Sequence, residues 1–140
     1  MRHFLFFVIF LVADTVNAQR GNELIVWQDS KSFEVGNQQF KVPYFQQNHV
    51  FNGAELLWFK SFEVNQKVDE FSINISNITT QNIRSSELDQ LDRSKIPNEL
   101  QYSLRNALSR KRTYAQLKMS PIFKDGNQYK KVVSFDYSYD

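Results

Sequence analysis

The chain is 140 residues long and carries 17 basic and 15 acidic side chains, so its formal net charge is +2 at pH 7. So small a positive excess argues against a nucleic-acid-binding protein, which needs a concentrated basic surface. The chain has no cysteine, which excludes disulfide bonds, a cysteine nucleophile and cysteine zinc ligands. Its stability must come from a hydrophobic core, and the length suits one domain.

Residues 1–18 have the pattern of a secretory signal peptide. Arg2 provides the positive start, and an apolar run from Phe4 to Ala13 follows, too short to span a bilayer. The small residue Ala18 predicts cleavage between Ala18 and Gln19. We therefore expect an exported, disulfide-free bacterial protein whose mature part, residues 19–140, is one β-rich module without a stable membrane span.

The first part of the mature chain predicts a β-hairpin. Aromatic residues are frequent and glycine and proline are few, which is typical of β-structure. Residues 32–42 form two alternating runs around Gly36-Asn37, a favoured two-residue turn, and this register places Phe33 opposite Phe40. Pro43 is expected to end the second strand, because it cannot donate a ladder hydrogen bond.

The middle of the chain predicts a second hairpin. Residues 44–54 are polar with scattered aromatics, so a loop or an irregular edge is expected there. Two aromatic-rich runs, 56–64 and 68–78, then predict paired strands joined by a short polar turn. In the second run, every second residue from Phe71 to Ile75 is apolar and is expected to face the core.

Two segments that follow are less regular. Residues 85–96 predict a short helix or helical turn at the surface, because Leu88 and Leu91 are its main apolar residues and Ser85 or Ser86 can cap it. Residues 97–108 fit a helix, with leucine at every fourth position, and equally fit a strand.

The end of the chain predicts a third hairpin, formed by residues 113–123 and 128–139 around Asp125-Gly126. The last run alternates up to Asp140, where the chain stops. We therefore expect an edge or a frayed end. Its apolar face would then be only partly buried, and it consists of Val133, Phe135, Tyr137 and Tyr139. The fold class predicted is all-β: an antiparallel β-sandwich of six or seven strands with one short helix or helical turn.

The sequence predicts no catalytic residue, no metal ligand and no cofactor. His49 is the one histidine of the mature chain, so a serine–histidine–aspartate triad has a single candidate base, and a solvated loop histidine is the simpler interpretation. The acidic residues Glu87, Asp89 and Asp92 match no calcium-loop spacing and are interpreted as solvated charges.

Three further groups carry open alternatives. Arg110-Lys111-Arg112 is either a processing site, a contact for an anionic surface, or a solvated connection that protects the next strand from edge pairing. Trp58 lies in an apolar strand and is predicted to be core. Trp27 is left open between packing and a sugar-stacking platform.

Several motifs together resemble one known family. They are the tryptophan-bearing start ELIVWQ (23–28), the hairpin from Phe33 to Pro43, the basic element 109–112, Met119-Ser120-Pro121-Ile122, and Lys131-Val132-Val133-Ser134-Phe135. This set resembles the N-terminal region of the type IX secretion system sortases of Bacteroidota, the PorU family of gingipain-like cysteine peptidases.

The resemblance implies a role and a location. Members of that family act at the cell surface, where they remove the C-terminal sorting domain from secreted cargo, with the catalytic Cys and His in a domain downstream of a β-rich region. Because this sequence contains no cysteine and stops before such a domain, the resemblance implies a non-catalytic and incomplete N-terminal module. It also implies the periplasm or outer-membrane cell surface of a Gram-negative bacterium. Its partners would be the downstream peptidase domain or outer-membrane secretion-system proteins.

A second hypothesis uses no resemblance. A signal peptide, many aromatic residues and the lack of catalytic groups also fit a self-contained secreted β-sandwich that acts in adhesion or binding.

Overall fold

The computed structural model describes residues 19–140. The predicted signal peptide, including Ala18, lies outside the described residues, whereas Gln19 is the first residue of the first strand. The all-β prediction is confirmed, although the described residues contain ten strands and not six or seven. The elements are β1 (Gln19–Leu24), β2 (Trp27–Val35), β3 (Gln38–Phe45), β4 (His49–Phe51), β5 (Leu56–Val64), β6 (Asn74–Ile83), β7 (Tyr102–Ser109), β8 (Arg112–Met119), β9 (Ile122–Asp125) and β10 (Gln128–Tyr139), with 3-10 helices at Ser85–Leu88 and Arg93–Lys95.

The strands form three antiparallel sheets. In the first, β10 pairs with β6 along one edge and with β1 and β9 along the other; the second has the order β4-β5-β8-β7; the third is the β2-β3 hairpin. The first two sheets pack face to face: the ring centroids of Trp58 on β5 and Phe135 on β10 lie 5.1 Å apart at an interplanar angle of 87°. The arrangement is the predicted sandwich.

The last strand, β10, is the centre of its sheet. It is paired on both sides, and Phe135, Tyr137 and Tyr139 are 0%, 9% and 2% exposed. The predicted frayed edge is therefore wrong. Gln19 lies opposite Tyr139, so the first strand of the described chain covers the flank that was expected to be open. Alternation shows that a strand is half-buried and does not show which strands flank it.

A register shift lies in the middle of β10. The pairing with β6 slips between Val132 and Ser134, as at a β-bulge. As a result Val132 is buried and Val133 is half-buried. The predicted alternation placed Val133 on the buried face, so the prediction is wrong by one residue before the bulge.

The β2-β3 hairpin has the predicted register. Phe33 lies opposite Phe40, and Gly36 in the turn has φ 64°, the conformation for which glycine is suited.

Pro43 does not end the second strand of that hairpin. β3 continues to Phe45, and Pro43 lies opposite a bulge in β2, where the register shifts between Gln28 and Lys31. At a bulge the missing N–H of a proline breaks no ladder hydrogen bond, which is why the strand passes through it.

The second predicted hairpin does not form. β5 has the predicted bounds, Leu56–Val64, but its neighbours are β4 and β8. The next strand, β6, begins at Asn74 and pairs with β10, so residues 65–73 cross from one sheet to the other. Phe71, which was expected to face the core, is 96% exposed.

The third predicted hairpin is shorter than expected. β8 lies between β5 and β7, and the chain changes sheets at Ser120-Pro121. The hairpin is formed by β9 and β10, with Asp125 opposite Gln128, so Gly126-Asn127 is its two-residue turn. The ambiguous segment 97–108 contains all of β7 except its last residue and is a strand from Tyr102 onwards.

The 3-10 region contributes to the core, contrary to the surface turn predicted. Leu88 and Leu91 are 0% and 5% exposed. This region is tied to β3 by two hydrogen bonds: the backbone N–H of Gln90 donates to the carbonyl oxygen of Lys41 at 2.9 Å, and the N–H of Lys41 donates to Oε1 of Gln90 at 2.6 Å.

Candidate protein-binding surface

His49 belongs to an aromatic cluster, so the predicted solvated histidine is wrong. Its ring lies on β4, stacks on Phe33 at a centroid distance of 5.1 Å, and meets Phe45 edge-on at 4.7 Å. Nε2 donates to the carbonyl oxygen of Pro43 at 3.0 Å. Burial lowers the pKa of His49, the hydrogen bond to Pro43 raises it, and the charge of Lys31 lowers it. The net effect is a lowered pKa and a neutral imidazole with a packing role.

This cluster predicts a pH dependence of stability. Because the pKa of His49 is lowered in the folded state, its contribution to stability is complete above the unfolded value of 6.5 and is lost as the pH falls through the folded pKa. Urea unfolding between about pH 7 and pH 5 should show a decline for the wild type. The matched variant His49→Phe keeps an aromatic ring without the titrating nitrogen and should show a flatter profile; an equally steep profile would rule His49 out as the cause.

The acidic residues support the 3-10 region. Each of Glu87, Asp89 and Asp92 accepts a hydrogen bond within the fold. Their donors are the backbone N–H of Arg84 at 2.7 Å, the hydroxyl of Ser30, and the backbone N–H of Ser94 at 3.0 Å. Across residues 19–140, no group of three His, Asp or Glu side chains could hold a metal ion.

Both tryptophans pack within the fold. Trp58 is 1% exposed, as predicted. Nε1 of Trp27 donates to the carbonyl oxygen of Val132 at 2.7 Å, its ring meets Phe45 at 4.9 Å, and the ammonium of Lys131 lies 5.4 Å from its centroid. Trp27 therefore joins the β2-β3 hairpin to β10, and the packing interpretation of the two left open is the one supported.

The crossover of residues 65–73, which we call the Phe71 loop, presents Phe71 to solvent on a fixed backbone. The N–H of Phe71 donates to Oδ1 of Asp69 at 2.9 Å, and the N–H of Ser72 donates to the carbonyl oxygen of Asp69 at 3.1 Å. The same loop is tied to Asp140, the residue after β10: the N–H of Asp69 donates to the main-chain oxygen of Asp140, and the N–H of Asp140 donates to Oγ of Ser72, both at 2.8 Å.

Asn106 on β7 holds the other half of the Phe71 loop. The N–H of Val68 donates to Oδ1 of Asn106 at 2.8 Å, and Nδ2 of Asn106 donates to the carbonyl oxygen of Val68 at 2.9 Å. The backbone N–H of Asn106 donates to Oε1 of Glu70 at 2.8 Å. The loop forms no strand, and this edge of β7 has no neighbouring strand. The hydrogen bonds to Asn106 and Glu70 therefore give partners to backbone groups that strand pairing leaves without one.

The basic run lies in the turn between β7 and β8. Ser109 pairs with Arg112, and the two turn residues, Arg110 and Lys111, have φ 49° and 67°. Arg112 lies 3.7 Å from the carboxylate of Glu63, whereas Arg110 and Lys111 form no ion pair within residues 19–140. The predicted edge protection is wrong, because β8 is paired on both sides. A two-residue turn also lacks the extended backbone that a processing peptidase would bind.

Phe71 and the basic turn lie at the same end of the sandwich. Val64, the last residue before the Phe71 loop, lies opposite Thr113, and Thr113 lies opposite Leu108 on β7. Leu108 is itself 77% exposed. We call this end the tip surface and define it by Phe71, Leu108, Arg110 and Lys111.

Sequence reasoning missed the tip surface because the alternation of residues 71–75 imitates a strand. A signal was present in Asp69-Glu70, since Asp and Glu are poor strand residues and an Asp side chain readily bonds the backbone two residues on. The hydrogen bond from Phe71 to Asp69 is of this kind.

The described residues therefore define an antiparallel β-sandwich, and the chain has no cysteine to act as a peptidase nucleophile. In residues 19–140 no helix is long and apolar enough to cross a membrane.

Comparison with known proteins adds one likeness of fold. Neither a protein-family model nor a curated protein matches the sequence. Among solved structures, the chain is similar to a chain of the complex of Porphyromonas gingivalis RgpB pro- and mature domains. The TM-score is 0.54 and the identity 8%, and the alignment covers 88% of this chain and 77% of that chain. At this identity the similarity shows the fold alone, a gingipain-like β-fold. It therefore supports the fold that the family resemblance implies, and not the membership of the sortase family.

Proposed function

We propose that this chain is a non-catalytic β-module that binds a gingipain-like cysteine peptidase domain, in the manner of an N-terminal region of a PorU-family sortase. The supporting observation is the fold shared, over 88% of the chain, with a chain from a complex of gingipain pro- and mature domains. Since the chain has no cysteine, its role toward a cysteine peptidase is binding and not catalysis.

In this proposal the first partner is a peptidase domain, and outer-membrane secretion-system proteins are further partners implied by the resemblance. The module acts after export, in the periplasm or at the outer-membrane cell surface of a Gram-negative bacterium. A peptidase domain joined after Asp140 would leave the module beside the Phe71 loop, because Asp140 is hydrogen-bonded to Asp69 and Ser72.

Export predicts a defined N-terminus. Mass spectrometry of the protein recovered from the cell envelope should show Gln19 as the first residue, as glutamine or in its cyclised form. A matched variant, Ala18→Arg, places a large charged side chain at the cleavage position and should leave the precursor uncut. A precursor beginning at Met1 in the wild type would contradict the predicted signal peptide.

Direct binding tests the proposed function. Each gingipain-like peptidase domain encoded in the source genome is produced with its catalytic cysteine replaced by alanine, which prevents cleavage, and is titrated calorimetrically into the purified protein. We expect at least one domain to bind with a Kd of about 1 μM or tighter, which corresponds to about −8 kcal/mol. Failure of every domain to bind the folded protein would overturn the proposal, and selective binding to a glycan array instead would favour the adhesion hypothesis.

A further inference from the structure

We propose that the tip surface is where the peptidase domain docks, and that it fits a partner face with an apolar pocket for Phe71 beside carboxylates that meet Arg110 and Lys111. The identity of the partner rests on the proposed function; the location of the contact rests on the geometry of the tip surface.

The first argument is that the Phe71 side chain contributes little to folding. It is 96% exposed, the highest value among the large exposed apolar side chains of residues 19–140. The hydrogen bonds of the loop use the backbone of residue 71 and the side chains of Asp69, Ser72 and Asn106. A polar residue at position 71 could keep all of them. An aromatic ring in such a place is suited to filling a pocket on another protein, where aromatic anchors dominate binding energy.

The second argument is that the loop is already ordered. Phe71 is flanked by Asp69 and Ser72, both bonded to Asp140, and the preceding residues are bonded to Asn106. Binding would therefore immobilise mainly the phenyl ring. Because ordering of loops and side chains reduces affinity, a loop fixed in advance binds more tightly for the same contact area.

The third argument concerns charge. The carboxylates of Asp69 and Glu70 accept backbone N–H bonds, and Glu63 lies beside Arg112. Arg110 and Lys111, like Lys67 in the Phe71 loop, are thus cations of this end that have no ion-pair partner within the described chain. Cations beside an apolar anchor select a partner with acidic groups next to its pocket, and such pairs mainly affect association rate and specificity.

The main test is Phe71→Ala in the full chain, titrated with the peptidase domain that binds the wild type. We expect affinity to fall by about 30-fold or more, the range of a hot-spot residue. The matched control is Leu24→Ala, which removes another exposed apolar side chain (64% exposed) from β1, outside the tip surface, and should change affinity by less than about twofold.

Charge and loop order are tested by two further variants. The double variant Arg110→Glu, Lys111→Glu should slow association and remove most of the decline in affinity that the wild type shows as sodium chloride is raised. Asn106→Ala keeps Phe71 but frees the loop, and should weaken binding by a smaller factor than Phe71→Ala.

The outcomes separate the two proposals. If the wild type binds and Phe71→Ala binds equally well, the docking surface is wrong while the proposed function stands. If the wild type binds no peptidase domain, both are overturned. If Phe71→Ala and Leu24→Ala weaken binding equally, the effect is not specific to the tip surface and the inference fails.

Discussion

Replacement of Phe135 by alanine is expected to lower the free energy of unfolding by about 3–5 kcal/mol. Phe135 is 0% exposed and lies on β10, the strand that three others flank. Its ring meets Trp58 of the opposite sheet edge-on at 5.1 Å. Truncation would remove buried apolar surface and leave a cavity between two sheets whose backbones are held by ladders, so little collapse can compensate for it.

Urea unfolding measures this effect, and Phe71→Ala provides the matched control. It is the same chemical change at a side chain that is 96% exposed, so stability should change by less than about 0.5 kcal/mol. Similar losses for the two variants would contradict the burial of Phe135. The pair also separates stability from binding, because Phe71→Ala is expected to reduce affinity alone.

Replacement of Gly21 by alanine is expected to destabilise the protein by about 3 kcal/mol, the upper end of the range for overpacking. Gly21 lies opposite Tyr137, and a Cβ added to Gly21 would lie 2.6 Å from Cε1 of that ring. The Tyr137 ring has little room to move, because it packs against two other aromatic rings. Its centroid lies 5.2 Å from the ring centroid of Phe62 and 6.3 Å from that of Tyr139. Alanine itself suits a strand better than glycine does, so a loss would come from this clash.

A double-mutant cycle isolates the clash. In a Tyr137→Ala background the ring is absent, and Gly21→Ala should then be close to neutral, which gives a large coupling energy between the two sites. An equal penalty for Gly21→Ala in both backgrounds would show that the close approach of Gly21 to Tyr137 is not its origin.

The sequence predicted those elements that depend only on residues close to one another in the chain. The turn at Gly36-Asn37 and the pairing of Phe33 with Phe40 follow from turn geometry and strand alternation, and both are confirmed. Pairings between distant segments were not predictable in this way. β5 and residues 68–78 look like hairpin partners, but β5 pairs with β8, and β6 pairs with β10. Alternation reports burial of one face and carries no information on the neighbouring strand.

The candidate site was predictable only in part. For the run at positions 110–112 the sequence left three alternatives open, and the exposure of all three residues at the turn is that expected of a solvated connection. The exposure of Phe71 depends on hydrogen bonds to Asn106 and Asp140, which are far away in the sequence. The half-burial of His49 likewise depends on Phe33, which lies on β2 in another sheet. In each case the exposure of the side chain is determined by a contact with a residue distant in the sequence. The local sequence predicts the opposite exposure: a buried Phe71 and a solvated His49.

The pairing of Gln19 with Tyr139 has a consequence for the time course of folding. Strand β10 is central to its sheet, and its flanking strand β1 comes from the opposite end of the described chain. Closing so long a segment costs chain entropy before any ladder contact compensates for it. Such nonlocal topologies fold in roughly milliseconds to seconds. Until β10 has been synthesised, the first sheet lacks its centre, so β1, β6 and β9 have no strand to pair with and this half of the sandwich cannot form.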